Sequence, residues 1–133
     1  MNGSRWLLLA VLLIAASPAP SGSFTMSPGP YAEGGTVTFT IGSITHVGHN
    51  DEVTLGVWCI KPDGSQPLLG NIGHNPYIWE WNSFGQPVGS RDLYLLVEGT
   101  GYVCTARLVE VDWFKGQPVR AWTLDEESFE VSA

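Results

Sequence analysis

The chain is poor in positive charge: its 133 residues carry six Lys and Arg against thirteen Asp and Glu, a formal net charge of −7 with the three histidines neutral. A surface without basic patches has little to offer a run of phosphates, which argues against nucleic acid and anionic membranes as partners. Cysteine is equally scarce. Cys59 and Cys104 are too few for a four-cysteine zinc site and too far apart for a Cys-x-x-Cys redox pair. Catalytic signatures are missing as well: there is no Gly-x-Ser-x-Gly, and no glycine-rich phosphate loop ahead of a helix. Helical periodicity is almost absent beyond residue 23, where strand-type alternation takes its place.

The first residues set the expected compartment. Arg5 precedes an apolar stretch from Trp6 to Ala16, followed by small residues and prolines through Ser23, the pattern of a secretory signal. The stretch is shorter than the roughly 20 apolar residues needed to span a hydrocarbon core, so a signal peptide over residues 1–23, cut between 16 and 23, is expected rather than a lasting membrane anchor. Residues 24–133 then make one domain, since about 110 residues suffice for one core and not for two. Without Arg5, five basic residues face thirteen acidic ones, a charge that keeps a secreted, extracellular monomer soluble. In an oxidising compartment two cysteines are expected to pair. The closed loop of about 45 residues contributes roughly 4 kcal/mol in the chain-entropy account.

Alternation supplies the strands. Thr36–Ile41 puts Val37, Phe39 and Ile41 on one face, and Glu52–Ile60 does the same with Val53, Leu55, Val57 and Cys59. Lys61-Pro62-Asp63-Gly64-Ser65 reads as a turn, because proline presets its φ and Asp-Gly tolerates positive φ. Leu93, Leu95 and Val97 form a third inward set, Tyr102, Cys104, Ala106 and Leu108 a fourth, and Phe129 with Val131 a last. Gln66–Ser90 reads as loops around a short strand at Tyr77–Trp81, and Asp112–Pro118 as an irregular connection between the last two long strands. Pro28-Gly29-Pro30 marks a turn before Gly34-Gly35 opens the first strong strand. The expected fold is an all-β, disulfide-stapled antiparallel sandwich of about seven strands.

Tyr31-x-x-Gly34-Gly35-Thr36-Val37-Thr38-Phe39-Thr40, then Val57-Trp58-Cys59 with its Asp63-Gly64 turn, then Gly101-Tyr102-Val103-Cys104-Thr105-Ala106-Arg107-Leu108 and a closing Ser128-Phe129-Glu130-Val131 together resemble small exported immunoglobulin-like sandwich domains of actinobacterial type. The resemblance spans most of the chain beyond the signal and rests on short β motifs. It implies fold and export, and no particular activity. Tyr102, two residues before Cys104, resembles the tyrosine corner of immunoglobulin domains, a structural role. The first cysteine departs from their pattern, because Trp79 follows Cys59 by twenty positions instead of about a dozen. A bridge across the sandwich and a bridge between neighbouring strands both remain open.

Aromatic residues are the main functional lead. Trp79, Trp81 and Trp113 fall in or beside the irregular stretches, Trp79 and Trp81 share a face, and Phe84 follows closely. Such rings serve as anchors for a protein partner, stack on sugars, or close the ends of the sandwich; Trp58 and Trp122 read as covering a sheet face. His46-Val47-Gly48-His49-Asn50-Asp51-Glu52 holds two histidines and two carboxylates, but its Gly and Asn mark a turn, so local hydrogen bonds are expected there and no metal or cofactor is assigned. Glu80, between Trp79 and Trp81, reads as a solvent-facing strand residue, since a glycosidase needs a second carboxylate at a defined distance and a cleft that a sandwich this small seldom has. The expected function is a secreted or cell-surface binding module without catalysis, engaging a protein or glycan through Trp79, Trp81, Phe84 and Trp113. Two alternatives stand beside it: a carbohydrate-binding module using Trp79 and Trp81, and an inhibitor of a secreted hydrolase presenting Pro62–Gly73.

Overall fold

The computed structural model describes residues 19–48, 50–70 and 75–133; most of the expected signal peptide, residues 1–18, and His49 lie outside the described residues. Among these, eight strands and no helix appear: β1 Phe24–Met26, β2 Tyr31–Ala32, β3 Thr36–Ile41, β4 Glu52–Ile60, β5 Ile78–Phe84, β6 Ser90–Tyr94, β7 Tyr102–Phe114 and β8 Gln117–Ser132. The strand beyond the expected seven is the two-residue β2. Pro28 and Pro30 interrupt pairing because proline has no N–H to donate. Across them the chain changes sheets, leaving β1 antiparallel to β3 and setting β2 parallel to β8.

The strands form a three-stranded sheet, β1-β3-β6, and a five-stranded sheet, β2-β8-β7-β4-β5. Alternation decides which side chains enter the core, and the inward parities of β3, β4 and β7 are buried as the sequence predicts: Val37, Phe39, Ile41; Val53, Leu55, Val57, Cys59; Tyr102, Cys104, Ala106, Leu108. Phe39 is central. It stacks on Trp79 at 5.5 Å between ring centroids and meets Phe24 and Phe129 edge-on at 6.1 and 6.4 Å, arrangements that add to the burial of these rings.

Three local expectations need correction. Val97 is 69% exposed, because β6 ends at Tyr94 and the chain leaves the sheet, so the parity that buries Leu93 and Leu95 no longer applies. Asp112–Pro118 is no irregular connection: β7 runs on to Phe114 and β8 starts at Gln117, joined by Lys115 and Gly116 at φ 52° and 73°. Two positive φ values in a row make the type I′ turn whose twist matches a hairpin. The short strand near Tyr77 is instead β5, reaching Phe84.

The disulfide joins Cys59 and Cys104, which face each other directly on β4 and β7 with Cα atoms 4.0 Å apart. It therefore links neighbouring strands of one sheet, the second of the two arrangements left open by the sequence. Close to it the fold is densely satisfied. Tyr102 donates its hydroxyl to the Leu96 carbonyl at 2.8 Å, and burial, with the Glu33 and Glu98 carboxylates nearby, pushes its phenol up to about 12. Glu33 accepts the amides of Glu98, Gly99 and Gly101 at 2.7, 2.6 and 2.6 Å. Removal from water pushes the Glu33 carboxyl up, but the amides of Gly99, Gly101, Glu98 and Thr100 outweigh it and hold the pKa below the ordinary value. Gly101 is demanded by this corner: its φ is 69°, and a Cβ there would lie 2.9 Å from the Val131 carbonyl oxygen.

Candidate functional site

At the opposite end of β7 the pairing thins. β4 begins at Glu52, opposite Val111, so Asp112–Phe114 pair only with β8 and the hairpin leaves the sheet as a two-stranded ribbon. Two register shifts, between Leu108 and Val109 and between Asp112 and Trp113, leave Leu124 and Val119 as extra residues on β8. Bulges of this kind increase twist and redirect side chains. Pro118, opposite Trp113 beside the second shift, is tolerated where a ladder hydrogen bond is already lost.

The ribbon carries apolar side chains into solvent. Phe114 is 62% exposed and Val119 54%, and Phe84, at the end of β5, is 66% exposed. Phe84 pairs with Glu52, which pairs with Val111, so β5 ends level with the base of the ribbon. Lys115 lies 5.4 Å over the Phe114 ring and Arg120 5.7 Å from the Trp122 ring, contacts that keep the cationic tips over aromatic surface.

The base of the ribbon holds an acidic cluster. Glu110 continues the inward parity of Leu108 and has no solvent exposure. One carboxylate oxygen from each of Asp51, Glu110 and Asp112 lies within 4.8 Å of the other two. Asp51 is held by the Gly48 amide at 2.8 Å, and Asp112 by Arg120 at 3.4 Å. Neither Glu110 oxygen has a hydrogen-bond partner, and the indole N–H groups of Trp113 and Trp122 are buried without acceptors. Among the described residues these four atoms are the buried side-chain polar atoms left unsatisfied, and all belong to β7 and β8 where the hairpin departs. Burial pushes the Glu110 carboxyl up to about 8, and the Asp112 and Asp51 carboxylates push it the same way. Since no donor reaches it, the one hydrogen bond open to Glu110 is the one it makes when protonated, to an aspartate.

The residues singled out from sequence separate into two groups. Trp81 is buried at 6% exposure under the Arg91 guanidinium, 5.5 Å away, and Trp79 is half-buried against Phe39; they share a face, as alternation requires, and that face is the inner one. They are not coplanar rings open to solvent. Phe84 and Trp113 sit at the hairpin end, Phe84 open and Trp113 half-buried. Trp58 lies on the outer face beneath Arg107 at 5.0 Å. In the loop Pro62–Gly73 the described part is folded back, with Pro67 and Leu69 buried. Asp51 donates its N–H to the Gly48 carbonyl at 3.0 Å, a local turn bond of the kind expected there, yet one of its carboxylate oxygens also lies near those of Glu110 and Asp112, a grouping not expected from the sequence. The signal was there. Glu110 falls on the inward parity of Tyr102, Cys104, Ala106 and Leu108, and an acid on a core parity calls for a partner.

Comparison of the chain with protein-family models, with curated proteins and with solved structures finds no match.

Proposed function

We propose that the chain is an exported, non-catalytic interaction module of immunoglobulin-like architecture that engages a protein partner through the tip of the β7–β8 hairpin and Phe84. The observation that carries the reading is the exposed apolar set Phe114, Val119 and Phe84 at one end of the molecule. Exposed aromatic residues are common anchors of protein interfaces, and a domain gains nothing in stability by exposing them. The immunoglobulin-like reading draws support from the strand order of the two sheets, the parallel β2–β8 pair and the Tyr102 hydrogen bond. The disulfide within one sheet departs from that architecture. A glycan platform at Trp79 and Trp81 draws no comparable support, since Trp81 is buried and Trp79 is occupied by Phe39.

The test is site-specific photo-crosslinking in the secreting organism, with the reactive residue at position 114 and a control at Tyr77 near the disulfide end. A discrete adduct from position 114 that disappears in the Val119→Ser variant is expected. Adducts from position 77 alone, or from neither position, contradict the reading. Recovery of the chain from the medium with a new N-terminus between residues 16 and 23 tests export.

A further inference from the structure

We propose that Asp51, Glu110 and Asp112 form a divalent-cation site of the calcium type at the base of the β7–β8 hairpin. A cluster of acids on a surface is ordinary, but Glu110 is not on the surface: it is fully buried, both its oxygens lack partners, and one of them lies within 4.8 Å of a carboxylate oxygen of each aspartate. A buried carboxylate with no donor is costly and in native proteins has a reason, such as an ion. The geometry suits one. Oxygens on opposite sides of a calcium ion, each bonded at about 2.4 Å, are about 4.8 Å apart, and the three carboxylates fall within that span.

Charge and ligand type agree. Once the ion displaces the proton on Glu110, three carboxylates against the single Arg120 guanidinium leave two negative charges, which one divalent ion balances. All three donors are hard oxygens, and among the described residues no histidine or thiol joins them, so the set suits calcium or manganese rather than zinc or copper. Asp51 and Asp112 are half-exposed and give the ion a path from solvent to Glu110. The two aspartates are already oriented from outside, by the Gly48 amide and by Arg120, so binding would need little rearrangement. The ion would tie the segment before β4 to β7 where the ladder between them ends. This inference stands whether or not the hairpin contacts a protein.

The rival occupant of the same space is a proton shared between Glu110 and an aspartate. Calorimetric titration of the chelator-treated full protein with calcium chloride separates the two, with terbium luminescence excited through Trp113 and Trp122 as a second readout. Saturable one-to-one binding is expected, with Kd in the range of about 10⁻⁴–10⁻³ M typical of extracellular calcium modules. Glu110→Gln, which keeps the shape and removes the charge, is expected to weaken it tenfold or more. Asp51→Asn, at a half-exposed position outside the core, is expected to weaken it as well and serves if Glu110→Gln perturbs the fold. No saturable binding overturns the site in favour of the shared proton. Binding that survives both variants undiminished overturns it in favour of diffuse surface charge.

Discussion

The two ends of β7 treat a carboxylate in opposite ways. Near Tyr102, Glu33 accepts three backbone amides and its pKa is held down; near Phe114, Glu110 is buried without a donor and its pKa is driven up to about 8. The same chemical group braces the fold in one place and strains it in the other, and what differs is the supply of N–H groups. The Tyr102 end also has the disulfide and a glycine without which the corner closes on a carbonyl. The Phe114 end has a ribbon without flanking strands, a lysine at positive φ and two indole donors without acceptors; apolar side chains are exposed at both ends, Ile60 and Val103 beside the disulfide as well as Phe114 and Val119. Local costs gathered in one place mark a region shaped by something other than stability.

The largest expected effect comes from removing the brace. The Cys59→Ala/Cys104→Ala double variant should lose about 4 kcal/mol, the loop-closure entropy of a crosslink spanning 45 residues, read as a lowered denaturant midpoint. Gly101→Ala should cost about 2–3 kcal/mol, combining the penalty of positive φ with a backbone contact that cannot relax, and the same denaturation experiment measures it. A loss below half a kcal/mol, the level of an ordinary surface change, would show that the corner adapts and would narrow the contrast between the ends.

Titration separates the two ends because their acids act with opposite sign. Glu33 has a folded pKa below its unfolded value of 4.5, so its contribution is present above that value and is lost as pH falls through the lower folded one. Glu110, free of added cation, has a folded value of about 8 against 4.5 unfolded. Between these values the folded chain holds a proton that the unfolded chain releases, so stability declines as pH rises through that window and levels off above about 8. Thermal melts across pH should show both limbs. Glu33→Gln should flatten the acid limb and leave the other, and Glu110→Gln should do the reverse. The smallest effect belongs to the turn: Lys115→Asn, better suited to positive φ in an Asn-Gly type I′ turn, should stabilise by about 0.5–1 kcal/mol, visible as a slightly raised Tm.

The braced end was the legible one. Alternation places Cys59, Tyr102 and Cys104 inward, and two cysteines with a tyrosine spaced two residues before the second already announce a stapled corner. Glu33 was invisible, since its three amides come from a loop more than sixty residues later in the chain and the pairing depends on tertiary closure. At the other end the aromatics were legible as a group but not in their sides: Trp79 and Trp81 share a face, and only the packing of Phe39 shows that this face is the core. Gly116 and Pro118 look like strand breakers, so the hairpin tip looks irregular from sequence alone. The type I′ turn uses the first, and the bulge at Val119 accommodates the second.

Whether the hairpin end holds a cation decides between a working end and a merely strained one. The most direct measurement is a calcium titration followed by proton–nitrogen NMR, which resolves the indole N–H of each tryptophan. Saturable shifts are expected at Trp113 and Trp122, with Trp58 and Trp79 and the amides of Gly99 and Gly101 unmoved. Unchanged Trp113 and Trp122 signals, or shifts spread evenly over both ends, would contradict a cation at the hairpin end.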